Sequence, residues 1–285
     1  MEAEQAIRPT PSDWIGIFDS GMGGLSILRE LLRELPEERL FYFADNLHLP
    51  YGPRPLDEVR RFATAIAGGL ARLPAKAIVV ACNTASAAAL KHLRTVYPGI
   101  RFVGMEPAVK PAAAESRTGK VGVLATQATF QGELFESVVE RFAHDVEVYR
   151  QPCPGLAEFI ENHPPDHPCL EAMLEKFIAP LAAKGIDNLV LACTHYSLVK
   201  EAIERVAGPA IKVVDPSRAI ARRTCAVLEE TGLRRKSGRG EVLFNVSGQA
   251  EPFSQSASVH LGRDVRADKL PFYWVPVTED VADIW

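Results

Sequence analysis

Two cysteines occupy matching places in two similar stretches of the chain. Residues 78–86 read Ile-Val-Val-Ala-Cys-Asn-Thr-Ala-Ser, and residues 189–197 read Leu-Val-Leu-Ala-Cys-Thr-His-Tyr-Ser. In each stretch an apolar run ends at a cysteine, Cys82 or Cys193, and a helical pattern follows. A thiol at the start of a helix lies near unpaired backbone N–H groups, which favour negative charge. This placement predicts a pKa below the usual thiol value of about 8.5 and therefore an available thiolate.

The number and spacing of the cysteines argue against other uses. The chain has five, which is an odd number, and no CxxC pair occurs. We therefore expect free thiols in a reducing compartment rather than a disulfide framework or a zinc site. A free cysteine is by default a small buried apolar residue. The repetition of the whole context favours a chemical role for Cys82 and Cys193 over that default.

A matched pair of thiols is suited to one type of reaction in particular. In a racemase, one group removes a proton from one face of a stereocentre, and a second group delivers a proton to the opposite face. The reverse reaction exchanges the two roles, so near-symmetric groups are expected. The phosphate-loop pattern GxxxxGK[ST] and the redox pair CxxC do not occur in the chain, which argues against the nucleotide and redox alternatives.

Two further side chains lie beside these cysteines in the expected fold. Asp19 ends an apolar run and opens the turn Asp-Ser-Gly-Met-Gly-Gly at residues 19–24, whose glycines permit a tight turn and a close approach of the backbone to an anion. Asp19 is explained either as a helix N-cap or as an active-site carboxylate, and its place at the same edge as Cys82 favours the second. His195, two residues after Cys193, can polarise the thiol or donate to a substrate.

The elements that must position these side chains alternate along the chain. Apolar runs such as residues 14–18, 77–81 and 188–192 are separated by helical patterns, among them Ala128–Ala143 and Ser197–Val206. Alternating strands and helices predict parallel sheets with right-handed crossovers.

An internal duplication is also visible upstream of the cysteines, because residues 15–20 resemble residues 121–126. We therefore expect an α/β fold of two pseudo-symmetric, doubly wound domains with mainly parallel sheets. Ligands in such sheets bind beyond the carboxyl ends of the strands. The active site is accordingly expected in the cleft between the two domains.

The composition limits the partners and the location. The 285 residues have a formal net charge of −4, with 47% hydrophobic and 24% charged residues, so we expect no nucleic-acid partner. Residues 1–12 are polar and lack the apolar core of a secretory signal. No apolar run approaches the ~18–20 residues that span a bilayer. We expect a cytoplasmic protein without a membrane partner.

A set of motifs, weak singly, together carries a resemblance to a known family. They are Phe18–Gly24 (FDSGMGG), Pro50–Gly52 (PYG), Cys82–Ser86 (CNTAS), Gly104–Ala112 (GMEPAVKPA), Cys193–Tyr196 (CTHY), Val214–Ala221 (VDPSRAIA) and the late segment Phe244–Gly262. In this order and spacing, over residues 14–262, the chain resembles the glutamate racemases of the aspartate/glutamate racemase superfamily.

The resemblance implies interconversion of L- and D-glutamate without a metal or an organic cofactor, in an enzyme that supplies D-glutamate for peptidoglycan synthesis. It implies one domain from residues 1–105 and 217–285 and a second from residues 106–216. The implied acid/base thiols are Cys82 and Cys193, and Glu161 matches, more loosely, a carboxylate that assists them. The residues implied in holding the substrate are Asp19, Ser20, Tyr51, Gly52, Asn83, Thr84, Thr194 and His195.

One position departs from the family pattern, and several points stay open. The family usually has proline where this chain has Ser197, and because proline is pre-organised at a first helical position, a less rigid turn is expected here. The resemblance allows a homodimer and activation by a cell-wall precursor. The nearest alternative is a racemase of another acidic amino acid such as aspartate, although such enzymes typically have glutamate in place of His195. A non-catalytic protein that binds small anions would not need the duplicated cysteines.

Overall fold

A computed structural model describes residues 9–270, in which strands and helices alternate. The strands are β1 (Trp14–Asp19), β2 (Arg39–Ala44), β3 (Ala75–Val80), β4 (Phe102–Gly104), β5 (Lys120–Ala125), β6 (Glu147–Pro152), β7 (Asn188–Ala192), β8 (Lys212–Val214), β9 (Glu241–Val246) and β10 (Ala267–Lys269). The helices are α1 (Leu25–Glu34), α2 (Leu56–Arg72), α3 (Asn83–Val96), α4 (Val109–Glu115), α5 (Gln127–Gln131), α6 (Glu133–Phe142), α7 (Leu156–Asn162), α8 (Leu170–Ala182), α9 (Thr194–Leu198), α10 (Lys200–Ala207), α11 (Ser217–Glu230) and α12 (Ala250–Leu261).

The strands form two sheets whose strand orders correspond. The larger sheet has the order β10-β9-β2-β1-β3-β4, and the smaller has the order β6-β5-β7-β8. All paired strands are parallel. We call the part of the chain with β1 to β4 the first unit and the part with β5 to β8 the second unit. In each unit the second strand lies on one side of the first strand, and the third and fourth strands follow on its other side. The prediction of a duplicated, doubly wound α/β fold is therefore confirmed, and β3 and β7, which precede the two cysteines, are equivalent strands.

The central strands are apolar on both faces because helices cover both sides. Every residue of β1 after Trp14 is buried, and β7 is buried over its whole length. The helices bury one face each: α1 turns Leu25, Leu28 and Leu31 toward the core, and a fully buried leucine side chain stabilises the fold by about 1.5–3 kcal/mol. Within residues 9–270, no helix is long and apolar enough to cross a membrane.

The chain returns to the first sheet after α11. β9 pairs with β2 over Glu241–Val246, and β10 pairs with β9, so the late segment extends the sheet that contains β1 and β3. Sequence patterns did not predict β10, α4 or α12. α12 lacks a clear apolar stripe because Ser254 and Ser258 occupy one side and bond back to carbonyls four residues earlier.

Two helix predictions need correction. The predicted helix over Ala128–Ala143 is interrupted at Gly132, which is extended at φ −77° and ψ 139°. A Cβ at Gly132 would lie 2.7 Å from the Cβ of Ala87, so close packing on α3 accounts for the break. The helix predicted over Ser197–Val206 is in fact two helices, α9 and α10, which meet at the non-helical Val199.

Candidate active site

A cavity of about 320 Å³ lies at the carboxyl ends of the strands, between the two sheets. Cys82 and Cys193 both line it, one from each sheet. In doubly wound sheets, ligands usually bind where neighbouring strands continue into helices on opposite faces of the sheet. The other lining residues from the predicted site are Ser20, Tyr51, Gly52, Asn83, Thr84, Thr194 and His195. Asp19 and Glu161 are not in the cavity wall, but they contact the residues that form it.

Cys82 is the N-cap residue of α3 and is almost fully buried. Its sulfur accepts a hydrogen bond from the Ala85 N–H at 3.5 Å and lies 4.0 Å from the Ser20 hydroxyl. Burial, together with the nearby Asp19 carboxylate, raises the pKa of the Cys82 thiol well above its usual value. The expected fall in pKa at the helix start is therefore wrong for Cys82, because burial and Asp19 outweigh the single N–H contact.

Asp19 is completely buried at the end of β1. One carboxylate oxygen accepts a hydrogen bond from the N–H of Gly24 at 2.7 Å, and Gly24 is itself the N-cap residue of α1, so Asp19 satisfies a backbone donor at that helix start. Its other oxygen, Oδ1, has no hydrogen-bond partner among the described residues. Burial raises the pKa of Asp19, and the charge of His195 opposes that rise. A buried polar atom without a partner is costly, so Oδ1 needs a partner that the described residues do not supply.

Cys193 has a different neighbourhood, built from His195 and Glu161. The Cys193 sulfur lies 4.0 Å from Nδ1 of His195, and Nε2 of His195 lies 2.6 Å from the Glu161 carboxylate. Burial of His195 opposes protonation, but hydrogen bonds to Cys193 and Glu161 outweigh it and raise the imidazole pKa well above its usual value. A protonated imidazole beside Cys193 stabilises negative charge on the sulfur. Glu161 is thus not an exposed helix acid.

The glycine turn after β1 contacts an anion, which is the Glu161 carboxylate of the same chain. The Met22 N–H contacts the two oxygens of the Glu161 carboxylate at 3.0 and 3.2 Å. A Cβ at Gly21 would lie 2.7 Å from those oxygens, and a Cβ at Gly23 would lie 2.6 Å from Nδ1 of His195. The glycines therefore permit the second unit to approach the first, and Glu161 bridges the two.

Polar groups of the first unit face the cavity without partners. Both side-chain amide atoms of Asn83, which is 3% exposed, have no hydrogen-bond partner among the described residues. Such buried, unpaired donors and acceptors at a cavity are suited to a polar ligand.

Sequence reasoning missed Thr126 in the cavity wall. Its hydroxyl lies 2.9 Å from the Thr84 hydroxyl and joins the two units. The signal was available, since Thr126 takes the place of Ser20 in the duplicated stretch.

The expectation of a less rigid turn at Ser197 stays a prediction. Ser197 is the fourth residue of α9, not the first, and its hydroxyl donates to the Asp215 carboxylate at 3.0 Å. A third thiol in the cavity wall, Cys153, has its pKa raised to about 12 by burial, so it is a poor source of thiolate. In residues 9–270, no group of three or more His, Cys, Asp or Glu side chains could hold a metal ion.

Comparisons with known proteins agree with this fold. The family model for Asp/Glu/hydantoin racemases matches residues 15–224. A glutamate racemase from Roseiflexus sp. (strain RS-1) is 45% identical over 254 residues, covering 88% of this chain and 92% of that protein. A crystal structure of a glutamate racemase from Bacillus anthracis superposes with a TM-score of 0.84 at 32% identity, covering 90% of this chain and 97% of that one.

A structure of the Escherichia coli glutamate racemase in complex with L-glutamate and the activator UDP-MurNAc-ala is also similar. Its TM-score is 0.80 at 29% identity, covering 92% of this chain and 99% of that one. The chain belongs to the Asp/Glu/hydantoin racemase family of amino-acid isomerases. Within that family it groups with the glutamate racemases, as the motifs indicated.

Proposed function

We propose that the enzyme interconverts L- and D-glutamate by proton transfer at Cα between two cysteines, Cys82 and Cys193, without a cofactor. The observation that carries this proposal is the position of the two thiols. They follow equivalent strands of two sheets and line a single cavity from opposite sides. Groups placed in this way can act on opposite faces of one stereocentre.

The direction of each step follows the family pattern. From L-glutamate, the Cys193 thiolate removes the α-proton, and the electron pair stays on the substrate as a carbanion. The Cys82 thiol then delivers its proton to the other face, which gives D-glutamate and leaves Cys82 as the thiolate. From D-glutamate the two cysteines exchange roles. The raised pKa of Cys82 favours its acid form, and the raised pKa of His195 favours a cation beside Cys193; both are suited to the direction that starts from L-glutamate.

The remaining predicted residues are proposed to hold the substrate. The unpartnered oxygen of Asp19 is suited to the substrate ammonium group, and the unpartnered amide of Asn83 to a substrate carboxylate. An ammonium beside Asp19 would offset the negative charge that holds Cys82 protonated, so substrate binding itself would make its thiolate easier to form. The other proposed contacts are from Ser20, Tyr51, Gly52, Thr84, Thr194 and His195.

The domain boundaries and the setting are proposals as well. We assign residues 1–105 and 217–285 to one domain and residues 106–216 to the other. The return of β9 and β10 to the first sheet supports this division, although residues 1–8 and 271–285 lie outside the described part. We propose a cytoplasmic enzyme whose D-glutamate is used in peptidoglycan synthesis.

Two kinds of partner are proposed from the relatives and the family. A cell-wall precursor comparable to the activator of the Escherichia coli enzyme is a candidate regulator, and racemisation rates with and without it test this. A homodimer is a second proposal, which light scattering after size-exclusion chromatography tests.

An isotope experiment tests the two-thiol reaction. In D₂O, early in the reaction from L-glutamate, the D-product should carry deuterium at Cα while the remaining L-glutamate carries almost none. The reason is that Cys193 holds the abstracted proton, whereas the deuteron comes from Cys82. Extensive early deuteration of the unreacted L-glutamate would contradict the mechanism. L-aspartate should racemise more slowly than L-glutamate, and dialysis against EDTA and hydroxylamine should leave the rate intact.

A further inference from the structure

A second buried carboxylate, Asp45, lies next to the candidate active site and follows β2. Its N–H donates to the carbonyl oxygen of Asp19 at 2.9 Å, and its side chain is completely buried. The carboxylate accepts hydrogen bonds from the Tyr51 hydroxyl at 2.5 Å and from the Ser247 hydroxyl at 2.7 Å. Nδ1 of His48 lies 2.8 and 3.0 Å from its two oxygens. Nothing in the proposed proton transfer uses Asp45.

The loop after Asp45 is joined to the late segment of the chain. The Leu47 N–H donates to the Ser247 hydroxyl at 3.0 Å, and the Gly248 N–H donates to the Asn46 side chain at 2.6 Å. The Asn46 amide in turn donates to the Gln249 carbonyl at 2.9 Å. Residues 45–47 and 247–249 therefore form one hydrogen-bonded cluster, with Asp45 at its centre.

This cluster orients the Tyr51 side chain at the cavity wall. The Tyr51 hydroxyl is turned toward Asp45, so its ring and backbone are what remain for a ligand. Burial and the Asp45 carboxylate raise the pKa of Tyr51 well above its usual value, so the phenol stays a hydrogen-bond donor. Gly52, the next residue, packs on Thr126 of the second unit, where a Cβ would meet the threonine side chain at 3.1 Å.

We propose that Asp45 is a positioning residue for the active site. Its carboxylate fixes the Tyr51–Gly52 wall against which the substrate packs, and it ties that wall to residues 247–249. The inference rests on the proposed function, because it takes glutamate as the molecule that the wall contacts. A buried carboxylate with a purely structural role would stabilise the fold but would not set the affinity for substrate.

The variant Asp45→Asn separates these two roles when it is compared with Asp187→Asn. Asp187 is also buried and accepts hydrogen bonds from the Ser116 hydroxyl at 2.7 Å and from the N–H groups of Arg117 and Thr118 at 2.6 and 3.0 Å. It precedes β7, at the end of that strand away from the cavity. Both variants should lower Tm. Only Asp45→Asn should raise KM, about tenfold for both enantiomers, while kcat falls less than about threefold, as expected when substrate binding rather than the transition state is affected.

Two further variants keep the test decisive if Asp45→Asn does not fold. Tyr51→Phe and Ser247→Ala each remove one donor to Asp45, and each should raise KM by about threefold or more with kcat little changed. The double variant Tyr51→Phe/Asp45→Asn should have a KM close to that of the worse single variant, because both changes act through one contact. A KM within about twofold of wild type in all these variants, despite a lower Tm, would overturn the proposal. An inactive wild-type enzyme would instead refute the proposed function.

Discussion

The two thiols proposed to react follow equivalent strands, yet opposite charges lie beside them. The first unit has Asp19 at the end of its first strand, where the second unit has Ala125. The second unit has His195 two residues after its cysteine, where the first has Thr84. Duplication thus kept the backbone and the thiols, whereas the surrounding side chains diverged into an acidic half-site around Cys82 and a cationic one around Cys193.

Thermodynamics limits how far this difference between the half-sites can affect the kinetics. L- and D-glutamate have equal free energies, so kcat/KM must be equal in the two directions whatever the half-sites contain. The asymmetry between the half-sites can change kcat and KM for each enantiomer, but the ratio kcat/KM stays equal in the two directions. In the proposed mechanism, Cys82 is the acid and Cys193 the base of the reaction that starts from L-glutamate, and the raised pKa of Cys82 favours its acid form.

The largest expected effect comes from removing either thiol. Cys82→Ala and Cys193→Ala should each lower racemisation by about 10³-fold or more, since neither half-site can complete an inversion alone and each lost acid/base group is worth about 10²–10⁴-fold. Circular dichroism follows the rate. In D₂O, Cys82→Ala should still exchange the α-proton of L-glutamate, and Cys193→Ala that of D-glutamate.

Cys153→Ala is the matched control for these variants, because Cys153 is another buried thiol in the same cavity wall. It should keep most of the activity, since Cys153 follows β6 in the same sheet as Cys193 and is not the counterpart of Cys82 in the other sheet. Near-normal racemisation by Cys82→Ala or Cys193→Ala would refute a two-thiol reaction.

Sequence alone was enough for the duplication, the parallel sheets and the two cysteines, because apolar runs and the polar turns after them are local patterns. It was not enough for contacts that form only when the two units meet. The bond of Glu161 to Met22 and His195 spans both units. The raised pKa of Cys82 likewise depends on burial and on Asp19, neither of which a helix-start pattern contains.

The next largest effect should come from the charge of the acidic half-site. Asp19→Asn should lower kcat by about 10²-fold and raise KM by a smaller factor, because Asp19 is proposed both to bind the substrate ammonium group and to act in the transition state. Steady-state rates for both enantiomers measure this, with Asp187→Asn as the control for loss of a buried carboxylate. An unchanged kcat would leave Asp19 with only its role as a cap for α1.

A pH experiment compares the half-sites directly. At pH 7, iodoacetamide should modify Cys193 about tenfold faster than Cys82, because only a thiolate reacts and the raised pKa of Cys82 leaves it protonated. Modification of Cys82 should accelerate as pH rises. Peptide mass spectrometry reads both rates, the exposed Cys169 serves as an internal reference, and saturating glutamate should protect both cavity thiols. Faster labelling of Cys82 at pH 7 would reverse the assignment of acid and base.

The smallest expected effect concerns the turn that carries Cys193. Ser197 replaces the usual proline of the family, and its hydroxyl donates to Asp215, which also accepts from the Ser217 N–H at 2.9 Å. Ser197→Ala removes one bond but leaves Asp215 with the donors of Ser217, so the cost should be about 1 kcal/mol and the fall in Tm about 2–4 °C.

The same variant should lower kcat by no more than about twofold, because the bond between His195 and Glu161 does not involve Ser197. Thermal unfolding and racemisation rates check the two numbers separately. The control is Thr231→Ala, which also loses a part-buried hydroxyl bond, here to the Val227 carbonyl, but far from the cavity. Should Ser197→Ala reduce kcat about tenfold while Thr231→Ala does not, the bond to Asp215 would be holding the Cys193 turn in its reactive geometry, and the cationic half-site would depend on Ser197 as well as on Glu161.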